Sequence, residues 1–392
     1  MLEIKRTLLP ELTHCASLYP VVTVLGPRQS GKTTLVKMAF PEKPYLNLED
    51  PDIRSFAQID PRQFLEQYPN GAILDEIQRV PMLLSYIQGL VDKKNSPGLF
   101  ILSGSHQLPL QEEIMQSLAG RTAILHLMPL SLAELTAVSL DHDLDQQLLY
   151  GFYPRIYQHS IEPQRFYRDY IQTYVERDLK MMINIKDLDQ FRRFLNLIAT
   201  RVGQLMDYTQ LANDLGISRH TIKAWISLLK ASFIVTTLPP YFENLGKRII
   251  KSSKLYFNDV GLVCYLLGIR HTEHLLNHPL RGYLFENLVV NEISKFLSNA
   301  GEEPLLYFYR DNNQLEVDLV FQHGIDLIAI EIKSAKTFNQ DFLKNLTQFQ
   351  ALLPPSYTLK TYLIYSGEHE QKVFDHQVLN YRHSSQIFEE SE

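Results

Sequence analysis

Residues Val21–Thr34 read VVTVLGPRQSGKTT, a short apolar run followed by a loop bounded by two glycines. The run of β-branched and apolar residues predicts a buried strand, and the apolar, helix-compatible segment after the loop predicts a helix. Between them, Gly26-x4-Gly31 followed by Lys32 and Thr33 has the spacing of a phosphate-binding loop. Glycines there let backbone N–H groups approach an anion, and the helix that follows adds the positive end of its dipole. Gly26, Pro27, Arg28, Gln29, Ser30, Gly31, Lys32, Thr33 and Thr34 are therefore the candidate cradle. Lys32 would reach the outer phosphates, and Thr33 would place its hydroxyl on Mg²⁺. A glycine-rich turn carrying an exposed lysine is the alternative, and the strand before the loop argues against it.

A second apolar run, Gly71–Leu74, delivers Asp75 and Glu76 at its end. Two adjacent carboxylates at a strand end are the expected companions of such a loop: Asp75 to hold Mg²⁺, Glu76 to orient or deprotonate the attacking water. ATP is thus the expected cofactor. A third run, LFILSGS over Leu99–Ser105, ends in two serines, and Ser103 is the candidate for sensing the terminal phosphate, against a plain turn serine. Arg121 stands between a glycine and another apolar run. It is the candidate for an arginine finger, acting on its own nucleotide or on a neighbour's in a homo-oligomer; a surface arginine at a strand start is the alternative.

Toward the C-terminus, LEVDLVFQHGIDLIAIEIKS over Leu315–Ser334 predicts two strands joined by a glycine-containing turn, with Glu316, Asp318, Glu331 and Lys333 interrupting the apolar pattern. Buried unpaired charge is costly, so these residues should face water or share a partner. An amphipathic helix is predicted over Gly282–Leu297, carrying Glu286, and another helix over Gln340–Leu352. Helix, strands, helix with Asp318 and, thirteen positions on, Glu331-x-Lys333 fits the core of PD-(D/E)xK nucleases, with Val317 in place of the proline. Asp318, Glu331 and Glu286 would clamp Mg²⁺ or Mn²⁺, and Lys333, on the face of Glu331 by the strand's period of two, would act at the attacking water. Glu316 shares the face of Asp318 or is simply solvated. An edge hairpin with ordinary cross-strand Glu–Lys pairs is the alternative.

Between these ends, apolar residues at three- and four-residue spacing (Phe166, Tyr170, Ile171, Tyr174, then Phe191, Phe194, Leu195, Ile198) predict a helical connector. YTQLANDLGISRHTIKAWISLLKASFIV then reads as helix, turn at Gly216, helix capped by Ser218, and strand, the order of a winged helix. Residues 205–270 carry eight Lys/Arg against four Asp/Glu. Arg219, His220 and Lys223 at the second helix, and Lys247, Arg248, Lys251 and Lys254 near the wing, would track DNA phosphates; docking to protein is the equal alternative. Trp225 is expected in the core.

The GPRQSGKTT loop, the LDEIQ and LSGS strand ends, LAGR…LMPLSLAEL, GFYPRIY and YLFENLVVNEISKFL together resemble the prokaryotic AAA-type ATPases that carry a C-terminal domain of unknown function, DUF4143. The resemblance implies a parallel ATPase sheet with flanking helices, a winged-helix middle and a nuclease-like end.

Composition fits this picture. The 392 residues are 45% hydrophobic and 21% charged with a formal net charge of -6, ordinary for a multidomain globular chain and unsuited to indiscriminate coating of nucleic acid. Two distant cysteines support neither a disulfide framework nor a zinc site. No signal peptide and no run of apolar residues long enough to span a bilayer is read, so a cytoplasmic location without membrane contact is expected. The expected fold class is α/β: a P-loop ATPase domain over 1–140, a helical connector over 141–204, a winged helix over 205–272 and a restriction-endonuclease-like α/β domain over 275–392. The expected function is an ATP-hydrolysing protein that acts on DNA through the winged helix and a metal-dependent nuclease-like end. The alternative is an ATP-switched regulatory protein whose C-terminal domains bind protein and do not cleave.

Overall fold

The computed structural model describes residues 4–94, 96–105, 117–140, 142–175, 188–241, 252–354 and 357–389. Five strands, β1 (Val21–Leu25), β2 (Tyr45–Asn47), β3 (Ala72–Asp75), β4 (Phe100–Gly104) and β5 (Thr122–His126), form a parallel sheet in the order β2-β3-β4-β1-β5. Alternate residues of β1 enter two cores. Val21 and Leu25 join Leu83, Leu84 and Ile87 of the helix Leu83–Lys94, whereas Val22 and Val24 join Leu12 and Cys15 of Leu9–Leu18 and Leu35 and Val36 of Lys32–Ala39. With both faces covered, the strand has no solvent side, which is why its sequence shows no polar alternation. Because β4 lies between β1 and β3, the carboxyl ends of all three are neighbours, and the loop Gly26–Thr34, the pair Asp75–Glu76 and Ser103–Ser105 arrive at one edge.

The middle of the chain is mainly helical: Leu144–Tyr150, Pro154–Gln158, Pro163–Tyr170, Leu188–Ala199, Tyr208–Leu215 and Arg219–Ala231. Asp207 caps the fifth of these, Gly216 ends it at φ 65, and Ser218 caps the sixth by accepting from Thr221 N at 3.0 Å. The antiparallel pair β6 (Val235–Leu238) and β7 (Lys254–Phe257) follows. Buried Asp259 ties the early helices to this later part: its Oδ2 accepts from Phe152 N at 2.7 Å, and its Oδ1 accepts from the Tyr167 hydroxyl at 2.6 Å and Leu262 N at 3.0 Å. Gly151 has φ 65, and a Cβ there would overlap Tyr167 Oη and the Asp259 carboxylate. The expected boundary between residues 204 and 205 therefore falls inside one packed unit, because the helices on its two sides share apolar and polar contacts that neither could replace with water.

The second sheet has the order β12-β13-β11-β10-β9-β8, with β8 (Tyr307–Arg310), β9 (Glu316–His323), β10 (Asp326–Lys333), β11 (Thr358–Tyr365), β12 (Gln371–Val373) and β13 (His376–Asn380). The long helix Arg281–Asn299 covers one face over Leu319, Phe321, Ile328 and Ile330; Leu346 and Phe349 of Lys344–Gln350 cover the other over Val317, Val320, Leu327 and Ala329. Val317 and Val320 share a core although they are three positions apart, so the period of two slips by one residue at Asp318, next to the register shift between Tyr307 and Tyr309. A single apolar core runs from Leu130 to Phe388 through all the segments after the first sheet. Among the described residues no helix is long and apolar enough to cross a membrane.

Candidate functional site

At the carboxyl edge of the first sheet lies a cavity of about 530 Å³ whose wall includes Arg28, Gln29, Gly31, Lys32, Thr33 and Thr34, with Glu76 beside them. Gly31 holds φ 96, a conformation that favours glycine, and a Cβ on Gly26 would overlap the Leu127 carbonyl. Lys32 folds back on its own loop, donating to Gly26 O at 3.0 Å and Pro27 O at 2.8 Å. Burial pushes its ammonium down to about 8, against the pull of Glu76 and Asp75. Among the described residues the Ser30 hydroxyl, which is buried, has no hydrogen-bond partner.

Thr33, in the first turn of the helix Lys32–Ala39, donates its hydroxyl to Asp75 Oδ2 at 2.7 Å, and the Tyr45 hydroxyl donates to the same oxygen at 2.7 Å. Ser103 donates to Asp75 Oδ1. Glu76 sits at φ 57, a left-handed conformation that costs a non-glycine residue roughly 1–3 kcal/mol. Its carboxylate accepts from Gln78 Nε2 and from the Ser105 hydroxyl at 3.1 Å. Thr33, Asp75, Glu76 and Lys32 are thus brought together. Ser103 joins them through Asp75, which takes its hydroxyl; it is fully buried, and Ser105 is the serine that faces Glu76.

Arg121 stands at the opposite edge. Its carbonyl accepts from Val21 N at 3.2 Å, and its guanidinium makes a two-pronged pair with Asp92 at 2.5 and 3.0 Å. The length of β1, roughly 15 Å at 3.3 Å per residue, separates it from the P-loop, so a finger acting on its own nucleotide is corrected by the geometry. Sequence reasoning missed the other wall of the cavity. Arg6 anchors the loop by donating to Ser30 O at 2.6 Å and Met128 O at 2.6 Å while pairing with Glu134 at 3.0 Å. Pro154, Arg155, Gln158 and His159 close the cavity from the middle segment. The signal was the Gly151–Tyr157 stretch, whose glycine and proline fix the chain where it crosses the P-loop.

The acidic residues of the C-terminal domain gather, but not around an open position. The Asp318 carboxylate lies where β9 and β10 diverge, its Oδ2 accepting from Ile332 N at 2.9 Å. Lys333 pairs with Glu331 at 2.5 Å and stands 3.9 Å from Asp318. Lys254, expected on an exposed basic face, is instead buried among Glu286 (2.9 Å), Glu316 (2.6 Å) and Asp318 (3.5 Å). Burial opposes its charge, but Glu286, Tyr256, Asp318 and Glu316 outweigh it and hold the ammonium well above its ordinary value. Burial and the Asp318 charge push the Glu331 carboxyl up. Among the described residues no group of three or more His, Cys, Asp or Glu could hold a metal ion. Of the expected ligand set, Glu286 and Asp318 face Lys254, a lysine that the sequence placed elsewhere, whereas Glu331 pairs with Lys333.

On the second helix of the helix-turn-helix, Arg219, His220 and Lys223 are exposed, while Trp225 packs against Phe191 and Phe194 with ring centroids 5.2 and 5.1 Å away. Lys247, Arg248 and Lys251 lie outside the described residues.

Residues 18–136 match an AAA domain, residues 141–273 the domain of unknown function DUF8612, and residues 281–383 the domain of unknown function DUF4143. The uncharacterized protein Rv2008c of Mycobacterium tuberculosis is 30% identical over 361 residues, spanning 91% of this chain and 78% of its own length; the uncharacterized protein Mb2031c of Mycobacterium bovis gives the same figures. The chain belongs to the AAA P-loop ATPases with a C-terminal DUF4143 domain. Among solved structures, it is similar to the Walker-type ATPase PABY2304 of Pyrococcus abyssi at 16% identity over 67% of this chain and 96% of that one, with a TM-score of 0.40. AMPPCP-bound DnaA from Aquifex aeolicus is similar at 15% identity over 57% and 85%, with a TM-score of 0.30.

Proposed function

We propose that the chain binds ATP with Mg²⁺ at the P-loop edge of the first sheet and hydrolyses it, and that the segment 141–273 responds to the nucleotide. The observation that carries this is the 2.7 Å contact between Thr33 Oγ1 and Asp75 Oδ2. A hydroxyl and a carboxylate this close are the hard oxygen donors that suit Mg²⁺, and the Ser30 hydroxyl, without a partner among the described residues, adds a donor for a phosphate oxygen. When bound, the ion neutralises charge on the outer phosphates. Lys32 exchanges two loop carbonyls for phosphate oxygens, and Glu76, held by Gln78 and Ser105, orients the attacking water and takes its proton. Pro154, Arg155, Gln158 and His159 lie against the same cavity, so the state of the phosphates reaches the middle segment directly. Phosphate release measured for wild type, Lys32→Ala and Glu76→Gln tests this: Lys32→Ala should lose ATP binding, and Glu76→Gln should bind ATP and nearly stop hydrolysis. Hydrolysis at the wild-type rate in Glu76→Gln would sink the assignment of the base.

A second reading concerns the target. The exposed Arg219, His220 and Lys223 at the start of one helix favour contact with a phosphate backbone, as in a winged helix that reads DNA. Metal-dependent cleavage is not favoured, because Lys254 sits among Glu286, Glu316 and Asp318. An ATP-switched module that docks a partner without cutting it suits that cluster better.

A further inference from the structure

The acidic cluster of the C-terminal domain contains an ammonium where a divalent ion was expected. Lys254 is 2% exposed, and its Nζ reaches carboxylates from the long helix (Glu286) and from β9 (Glu316, Asp318) at 2.9, 2.6 and 3.5 Å. The Glu286 oxygen that receives it also accepts from the Tyr256 hydroxyl at 2.5 Å. Lys333 closes the other side through Glu331 and Asp318. Mg²⁺ requires about six oxygens at roughly 2.0–2.1 Å, and a buried cation already seated among the same carboxylates repels it. With Lys254 in place, Glu286, Glu316 and Asp318 do not together fit a divalent ion.

We propose that Lys254 is the resident cation of this cluster, a tethered ammonium that seats the middle segment on the DUF4143 domain. Glu286 and Asp318 are buried, and two such carboxylates without a counter-charge would be costly; Lys254 supplies it from β7, a strand of the other segment, while the half-buried Glu316 also pairs with Arg310 at 3.1 Å. The rest of β7 is received in the same way. Asn287 Oδ1 accepts from Phe257 N at 2.8 Å, and Asn287 and Asn291 both donate to Phe257 O, at 2.9 and 2.8 Å. The stretch Glu286–Asn291 of the long helix thus bonds the backbone at the Phe257 end of β7 and supplies a carboxylate to Lys254 at the other. Beside it, Tyr241 N donates to Phe308 O at 2.7 Å, joining the chain after β6 to β8. The cluster is therefore one end of a continuous polar seam, and the C-terminal domain acts through docking rather than through a bound metal.

The test is Mn²⁺ titration of the full chain without nucleotide, followed by electron paramagnetic resonance and thermal melting, for wild type, Asp318→Asn, Lys254→Met and the double variant. Wild type and Asp318→Asn should give the same Mn²⁺ isotherm, because no ion is held at Asp318. Lys254→Met should melt earlier, gain a saturable Mn²⁺ site and recover stability with the ion, and adding Asp318→Asn should remove that gain. Wild-type Mn²⁺ binding that is lost in Asp318→Asn overturns the proposal, as does a folded Lys254→Met that neither loses stability nor gains a site. Should Lys254→Met fail to fold, the comparison of wild type with Asp318→Asn decides alone. Wild-type ATP hydrolysis, measured on the same samples, separates this outcome from the reading of the P-loop.

Discussion

Arg6 Nη1 and Ser30 O are 2.6 Å apart, so a residue before the first strand holds the carbonyl side of the P-loop. The same guanidinium pairs with Glu134, which is 3% exposed and caps the short helix Leu132–Thr136. Replacing Arg6 by Leu leaves that carboxylate buried without its cation, and breaking one half of such a pair costs about 3–5 kcal/mol. Chemical unfolding should show a loss of that order, and ATP affinity should fall because the loop loses its anchor. Adding Glu134→Gln should recover part of the stability and none of the affinity; recovery of both would mean that the contact with Ser30 is incidental.

Lys32 predicts a pH dependence. Its ammonium titrates at about 8 in the free protein because burial disfavours the charge. A bound polyanion favours the ammonium and raises the value again. Below pH 8, binding takes up no proton through this group; above about 8 it must, and affinity falls by up to about tenfold per pH unit. Unfolding releases Lys32 to its ordinary value, so from about 8 upward the unfolded chain holds the extra proton and the free protein gains stability as pH rises. Calorimetry in buffers of different ionisation enthalpy should detect proton uptake on ATP binding on the alkaline side only, and Lys32→Arg should abolish it.

Arg121 can meet nucleotide only from a neighbouring copy, since a strand's length separates it from its own P-loop. If it does so, Arg121→Ala should keep ATP affinity and lose turnover, and mixing it with Lys32→Ala protein should restore part of the rate. Unchanged turnover in Arg121→Ala would leave it as the surface partner of Asp92.

Gly151→Ala should be among the most damaging conservative substitutions in the chain. The added methyl group meets Tyr167 Oη and the Asp259 carboxylate, at a φ of 65 that itself costs alanine about 1–3 kcal/mol. A loss of less than about 1 kcal/mol in chemical unfolding would show that the Asp259 junction is more pliable than its hydrogen bonds suggest.

Reversing Arg219, His220 and Lys223 to Glu tests the DNA reading. Each lost phosphate contact should remove about 0.9 from the magnitude of the log–log salt slope for duplex DNA. An unchanged slope would assign this exposed face to a protein partner.

What could be read from the sequence was what is local in it. Gly26 to Thr33 lie within one loop and turn, and Asp75–Glu76 end one strand, so spacing alone predicts where they meet. Asp318 and Glu331 were also legible as neighbours, because a hairpin pairs residues symmetrically about its turn. The slip at Asp318 was not, since no residue type there announces a bulge. Nor was Lys254, which sits 64 positions before Asp318 and arrives through the packing of one segment on another. Its signal was available: a lysine heads KLYF, an otherwise apolar strand that is buried along its length, and a charge in such a place requires a partner. Arg6 and Arg155 reach the cavity only through the tertiary fold, and periodicity carries no trace of that.

The core that runs unbroken from Leu130 to Phe388 has a genetic consequence. Leu284, Phe285, Leu288 and Ile293 of the long helix share it with Tyr256, Val260 and Val263 of the middle segment, and a premature stop codon before residue 281 would leave the latter uncovered. Chains with such exposed apolar surface aggregate or are degraded. Stop codons between the P-loop and residue 281 should therefore behave as complete losses of the protein, including the intact P-loop that precedes them.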